Sequence, residues 1–244
     1  MPRIYVSPST QERNAGISPF SVEEVEMNKI ANILIALLNK DSRFVIKRNN
    51  PSWNINQIAA DSDSFKADLH LAIHSNAGGG EGTEVYAYGP NTNSERFAQH
   101  LYKQIAPLSP GKDRGVKFNK ALYEVGDHVD ATSALIELGF HDNSCDAKWL
   151  ATNQIQIAEA LYKAICDYFA YDYRALVVAV PVVAKVEAVK EITIVHRTVS
   201  FDSPDSYPVD DFDVNIVMRI RNSLADSMSK GLMDAGISNG IVKL

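Results

Sequence analysis

Three stretches of this 244-residue chain carry side chains whose type and setting could do chemistry. The first is Leu69-His70-Leu71-Ala72-Ile73-His74. Read as a strand, it places Leu69, Leu71 and Ile73 on one face and His70, Ala72 and His74 on the other. At about 3.3 Å per residue the two histidine Cα atoms stand roughly 13 Å apart. Ligands of one zinc must each bring a donor to about 2 Å from the ion, so the two do not share one. His74 falls at the C-terminal end of the strand, where open α/β sheets carry their sites, and Ser75-Asn76-Ala77-Gly78-Gly79-Gly80 then turns away. A hydrogen-bonded structural histidine and a functional one both suit that position.

The second stretch is Ser133-Ala134-Leu135-Ile136-Glu137-Leu138-Gly139-Phe140. A carboxylate inside an apolar strand is costly unless it is paired, ligated or open to a cleft. A buried salt bridge meets that need, and so does a general acid/base of perturbed pKa. The third is Ser21-Val22-Glu23-Glu24. It fits a capping box, with Ser21 as N-cap and Glu24 at the third helical position. A helix N-terminus facing a metal can also use that carboxylate as a ligand. Other candidates have ordinary readings. His141-Asp142-Asn143 suits a loop, His128 and His196 suit surface or packing roles, and His100 suits a solvated helix face. Cys145 and Cys166 are two small partly buried thiols, neither a disulfide framework nor a cysteine zinc module.

The elements that must position these residues alternate between strand and helix. Ile4 to Ser7, Arg43 to Lys47, Leu69 to His74, Thr83 to Tyr88, Leu122 to Val125 and Ser133 to Gly139 read as strands. Val25, Ile30, Ile33, Leu34, Leu37 and Leu38 recur at helical spacing; so do Phe97, Leu101 and Ile105, and Ile157, Leu161, Ile165 and Phe169. That alternation predicts an α/β fold with a mixed, largely parallel sheet flanked by helices. The expected boundaries are a catalytic domain over 1–173, an Ala/Val/Pro linker over 174–190, and a small C-terminal α/β appendage over 191–244. In the appendage Leu224, Met228 and Leu232 form a helix stripe, with Asp213 as N-cap and Gly236 as stop. A unit of that size is marginal alone, so the stripe suits packing against the first domain or a homodimer contact with another copy.

Composition narrows the classes. Apolar residues make 45% of the chain and charged residues 22%, the balance of a globular protein. Twenty-four Lys and Arg against 30 Asp and Glu give a net charge of −6. Such a chain has no general attraction for nucleic acid or an anionic membrane. No apolar run reaches the roughly 18 residues needed to span a bilayer, and the N-terminus shows no signal-peptide core. The expectation is synthesis in the cytoplasm without a signal peptide. The glycines after His74 lack a following Gly-Lys-Ser/Thr, which leaves no phosphate-loop signature.

Taken together, five segments resemble the zinc-dependent N-acetylmuramoyl-L-alanine amidases, the Amidase_3 family of bacterial cell-wall hydrolases. They are Ile4-Tyr5-Val6-Ser7-Pro8-Ser9, Glu24-Val25-Glu26-Met27-Asn28, Ile73-His74-Ser75-Asn76-Ala77, Arg114-Gly115-Val116 and Ala134-Leu135-Ile136-Glu137-Leu138-Gly139-Phe140. Their order and spacing fit over residues 1 to 171. The resemblance implies a zinc held by two histidines and a glutamate, with a second glutamate catalytic. Carried over, Glu24 is the carboxylate ligand, His74 a histidine ligand and Glu137 the catalytic base. The substrate implied is peptidoglycan, cut between N-acetylmuramic acid and L-alanine, as by an endolysin or a sporulation lysin.

One departure from the pattern stands out. Where the family has Pro-Gly-His-Gly, this chain has Pro8-Ser9-Thr10-Gln11, and no histidine precedes His70. Arg13 lies near that place, but a guanidinium cation cannot ligate zinc. A catalytic zinc site uses three protein ligands plus water. Either another histidine, His141 or His128, completes the set, or metal binding is weakened, or the active form carries a different residue there. The alternative function is therefore an amidase fold that grips muropeptide without cutting it.

Overall fold

The computed structural model describes residues 1–11, 13–20 and 22–175. Six strands form one sheet: β1 (Arg3–Pro8), β2 (Val45–Arg48), β3 (Leu69–Asn76), β4 (Glu84–Ala87), β5 (Val116–Phe118) and β6 (Thr132–Phe140). Their order across the sheet is β2-β1-β3-β6-β4-β5. Every neighbouring pair is parallel except β4 with β6. The α/β fold with a mixed, largely parallel sheet is therefore the one the strand–helix alternation predicts.

The main core lies on one face. It receives Ile4 and Val6 of β1, Leu69, Leu71 and Ile73 of β3, and Ala134, Ile136 and Leu138 of β6. Helices α1 (Glu23–Lys40), α3 (Asn93–Ile105) and α5 (Gln154–Tyr168) cover most of it, and Trp149 and Leu150 add to its rim. Helix α1 turns Met27, Ile30, Ala31, Leu34, Leu37 and Leu38 inward, all at three- or four-residue steps. Val25 departs from the predicted stripe: it is exposed, because it falls on the opposite side of the first turn.

Two helices go beyond those the periodicity picked out. Helix α2 (Ile55–Phe65) starts at Asn54, which forms a reciprocal capping box with Gln57. Helix α4 (Ser144–Thr152) starts at Asn143, whose side chain accepts from the Cys145 and Asp146 amides. Both bury few large apolar residues, so their caps rather than an apolar row mark them in the sequence. Leu122 to Val125, predicted as a strand, is instead a run of turns. Its Leu122 and Val125 pack on Ala72, Leu135 and Tyr86. Alternation there reports a loop laid against the sheet, not a strand within it.

The first compact unit spans Met1–Val178. Most of the expected linker over 174–190 and all of the C-terminal unit over 191–244 lie outside the described residues, as do His196 and the Leu224, Met228 and Leu232 stripe. Among the described residues no helix is long and apolar enough to cross a membrane. Cys145 is exposed and Cys166 buried, both as free thiols.

Candidate active site

Side-chain parity sends the polar residues of the central strands to the face away from the main core. Ser7 pairs in register with Ala72, His70 with Ser133, and His74 with Glu137. Across the next gap Glu84 of β4 stands opposite Glu137. His74, Glu137 and Glu84 therefore sit side by side on three adjacent strands. The β3–β6 register shifts between His74 and Asn76, so regular pairing ends where these groups meet.

His74 is the hub. It is buried, and its Nδ1 lies 2.9 Å from Glu23 Oε1. Glu23 Oε1 also accepts from the Ser75 amide at 3.3 Å, and Oε2 accepts from Asn14 Nδ2 at 2.6 Å. Asn14 Nδ2 bonds Gln11 Oε1 as well (2.7 Å), and the Gln11 amide reaches 3.4 Å from His74 Nδ1. The other imidazole nitrogen, Nε2, stands 3.6 Å from Glu124 Oε2. Burial alone would lower the His74 pKa, but Glu124 and Glu23 outweigh it and push it up to about 10. Without a metal this is an imidazolium held between two carboxylates. Burial likewise opposes ionisation of Glu23, and its bond to His74 brings the carboxyl below its ordinary range.

Glu137 is placed differently. Its Oε2 is closed off from solvent and has no hydrogen-bond partner among the described residues. Burial pushes its pKa up to about 7; His74 pulls it down, while Glu23 and Glu84 push it further up. Glu84 is fully committed as an ion. Arg114 Nε donates to it at 2.5 Å, Asn76 Nδ2 at 2.9 Å, Tyr86 Oη at 2.8 Å, and Lys117 forms a further ion pair. The result is two neighbouring carboxyls with opposite characters. One is locked in the charged form, and the other titrates near neutrality, as acid/base work needs.

The carboxylate brought to His74 is Glu23, one residue before Glu24. Helix α1 begins at Glu23 with Val22 as N-cap, and Val22 makes no side-chain cap bond. Ser21, which the capping box requires, lies outside the described residues. A step of one residue turns a helix by about 100°. Glu23 therefore enters the site while Glu24 is half-buried to one side, its charge acting on Arg48. Arg13 is exposed. The Nδ1 of His141 faces Ser75, 3.0 Å from both its Oγ and its carbonyl oxygen. His128 stacks on Tyr123 at 3.9 Å between ring centroids.

Three acidic residues escaped the sequence reading. Glu23 carries the same helical register as Met27 and Ile30, a stripe that could have pointed it inward. Glu124 stands in Leu122-Tyr123-Glu124-Val125 as Glu137 stands in its strand, a carboxylate among apolar neighbours. Glu84 gave no signal, since its partners Arg114 and Lys117 come from thirty residues away.

For a metal, the useful feature is the pair of buried donors His74 Nδ1 and Glu23 Oε1 at ligand-to-ligand spacing. The Gln11 side chain lies beside the pair, its Nε2 3.4 Å from His74 Nδ1. Among the described residues, no group of three or more His, Cys, Asp and Glu is placed to hold a metal ion. The donor pair fits part of a zinc site, and its chemistry, imidazole plus carboxylate, suits zinc.

The profile of the Amidase_3 family, N-acetylmuramoyl-L-alanine amidase, matches residues 4–167. The amidase CwlM of Bacillus licheniformis is 26% identical over 159 residues, covering 63% of this chain and 62% of that protein. LytC of Bacillus subtilis, also an N-acetylmuramoyl-L-alanine amidase, is 28% identical over 177 residues, 68% of this chain and 35% of its own length. An uncharacterized cell wall amidase of Bacillus anthracis is 34% identical over 116 residues, 43% of this chain. The chain spans only 22% of that protein's length. Among solved structures, the catalytic domain of the CwlV amidase of Bacillus (Paenibacillus) polymyxa superposes with a TM-score of 0.64 at 20% identity. That match covers 70% of this chain and all of that domain. The catalytic domain of the CD27L endolysin gives 0.58 at 18% identity, covering 71% and 100%. Both report a shared fold.

Proposed function

From the premise that this chain belongs to the N-acetylmuramoyl-L-alanine amidase family, we propose that it hydrolyses the amide between the lactyl group of N-acetylmuramic acid and L-alanine in peptidoglycan. The observation that carries this is Glu137, a carboxyl poised near pH 7 beside a buried histidine–carboxylate donor pair. His74 and Glu23 would hold a zinc ion, with Gln11 alongside. Zinc in such a site polarises a carbonyl and lowers the pKa of a bound water towards 7. Glu137, ionised, accepts a proton from the attacking water and delivers it to the leaving nitrogen. The C–N bond breaks, the lactyl carbon gains the water oxygen as a carboxyl, and L-alanine leaves with a free amino group. Glu84 stays an anion throughout, because Arg114 and Lys117 neutralise it.

The test is zinc content per chain together with release of amino-terminal alanine from isolated walls. Glu137→Gln should keep its zinc and lose about 10²–10⁴-fold in rate. Equal turnover by wild type and Glu137→Gln would overturn the assignment. A second reading, a muropeptide-binding module, is favoured by the lack of a third histidine or carboxylate ligand among the described residues. Wall binding with no alanine release at saturating zinc would select it.

A further inference from the structure

Beneath the site runs a buried polar chain that the proton transfer does not use. Ser62 Oγ of α2 lies 2.9 Å from His70 Nδ1, and His70 Nε2 lies 2.9 Å from Glu124 Oε1. Ser7 Oγ of β1 donates to the same oxygen. His70 is also stacked on Tyr5, at 5.1 Å between centroids. Three elements, α2, β1 and β3, thus fix one carboxylate, and Glu124 itself is buried. Its remaining oxygen, Oε2, faces His74 Nε2 at 3.6 Å. That nitrogen is closed off from solvent and has no hydrogen-bond partner among the described residues. At this separation the contact is an ion pair and not yet a hydrogen bond. The two imidazole nitrogens therefore face different carboxylates: Nδ1 faces Glu23 and Gln11, and Nε2 faces Glu124.

We propose that Glu124 is the positioning residue of His74: it keeps the proton on Nε2, so that Nδ1 is the nitrogen that gives up its proton and turns to a metal beside Glu23. Metal-binding histidines commonly donate their second N–H to a carboxylate, which fixes both tautomer and ring angle. Here the carboxylate is anchored by His70 and Ser7 before any metal arrives. His70 and His74, two pleat repeats apart on the same face of β3, thereby act together without sharing an ion. The inference rests on the reading of His74 and Glu23 as zinc donors.

Glu124→Gln tests it, because the shape is kept while an amide N–H can replace the acceptor facing Nε2. That donor disfavours a proton on Nε2 and leaves the ring's one remaining proton on Nδ1, held by Glu23, where it opposes the metal. Zinc affinity, measured by competition with a chromophoric chelator, should fall about 10–100-fold. Glu124→Asp, which restores the acceptor, should recover part of the loss. Unchanged affinity in Glu124→Gln would overturn the proposal. The ring ¹⁵N shifts of His74 supply a readout that a role in folding alone would not move. Nε2 should be protonated in wild type and lose its proton in folded Glu124→Gln; identical shifts in the two would overturn the proposal whatever the affinities. If Glu124→Gln fails to fold, the comparison passes to Glu124→Asp, in which Nε2 must stay protonated. A wild type that takes up no zinc overturns the metal reading of the site, and the ring shifts then decide the Glu124 inference on their own.

Discussion

At the scale of single residues, the distinctive feature is one titrating carboxyl set among committed charges. Glu137 ionises at about 7 because burial raises its pKa and because Glu23 and Glu84 repel its charge. A general base must be deprotonated, so turnover should climb as pH rises through about 7 and level off above it. Glu84→Gln removes one of the repelling charges and leaves Arg114 and Lys117 unpaired nearby, both of which favour ionised Glu137. The ascending limb of the pH–rate profile should then move down by about one pH unit. A limb that stays in place would mean that Glu84 does not act on Glu137. How legible was this in the sequence? A glutamate in Leu-Ile-Glu-Leu stands out by contrast with its neighbours, and so did Glu137. Glu84 does not, since its meaning depends on cations brought to it by the β4–β5 pairing. The choice between Glu23 and Glu24 turns on where the first helical turn begins, which composition leaves open.

Secondary elements do the positioning, and their energetics can be probed away from the site. Helix α1 carries Glu23 at one end and is clamped at the other by Asp41, its C-cap. Asp41 accepts from Tyr162 Oη of α5 at 2.7 Å and forms a fork with Arg43, whose Nη2 lies at 2.5 Å. The Arg43 guanidinium holds the Asp41 carboxyl well below its ordinary range, overcoming burial, with Tyr162 assisting. For a depressed acid the sign is fixed: the stabilisation is complete above the unfolded value near 3.8 and fades as pH falls below it. Asp41→Asn should cost about 2–4 kcal/mol at pH 7, since it leaves Arg43 without its counter-charge. Urea unfolding at pH 7 and at pH 3 checks this, and the gap between wild type and variant should narrow in acid. An equal gap at both would show that the charge plays no part. The strands and long helices were readable because large apolar residues repeat at two or at three-to-four positions. Helices α2 and α4 were not, because their evidence is a cap: Asn54 with Gln57, and Asn143. Leu122 to Val125 misled because a loop pressed onto a sheet alternates as a strand does.

At the scale of the whole molecule, the sheet order explains how distant segments become one site. Strands β1, β3 and β6 are neighbours and parallel, so Pro8, His74 and Glu137 end at the same edge although they lie far apart in sequence. The residues that meet there run from Gln11 to Glu137, and the helices behind them close with α5 at Tyr168. The described site residues therefore fall within residues 1–175, and the family match ends at 167. A fragment of residues 1–175 should unfold in one cooperative urea transition and take up zinc with the affinity of the full chain. Two measurements on the full chain and the fragment then separate the roles of the two parts. Sedimentation of the full chain as a dimer and of the fragment as a monomer would assign self-association to residues beyond 175. Wall affinity that drops in the fragment while both remain monomeric would assign wall binding to them instead. A fragment that fails to fold, or folds without taking up zinc at full affinity, would show that the catalytic unit extends past α5.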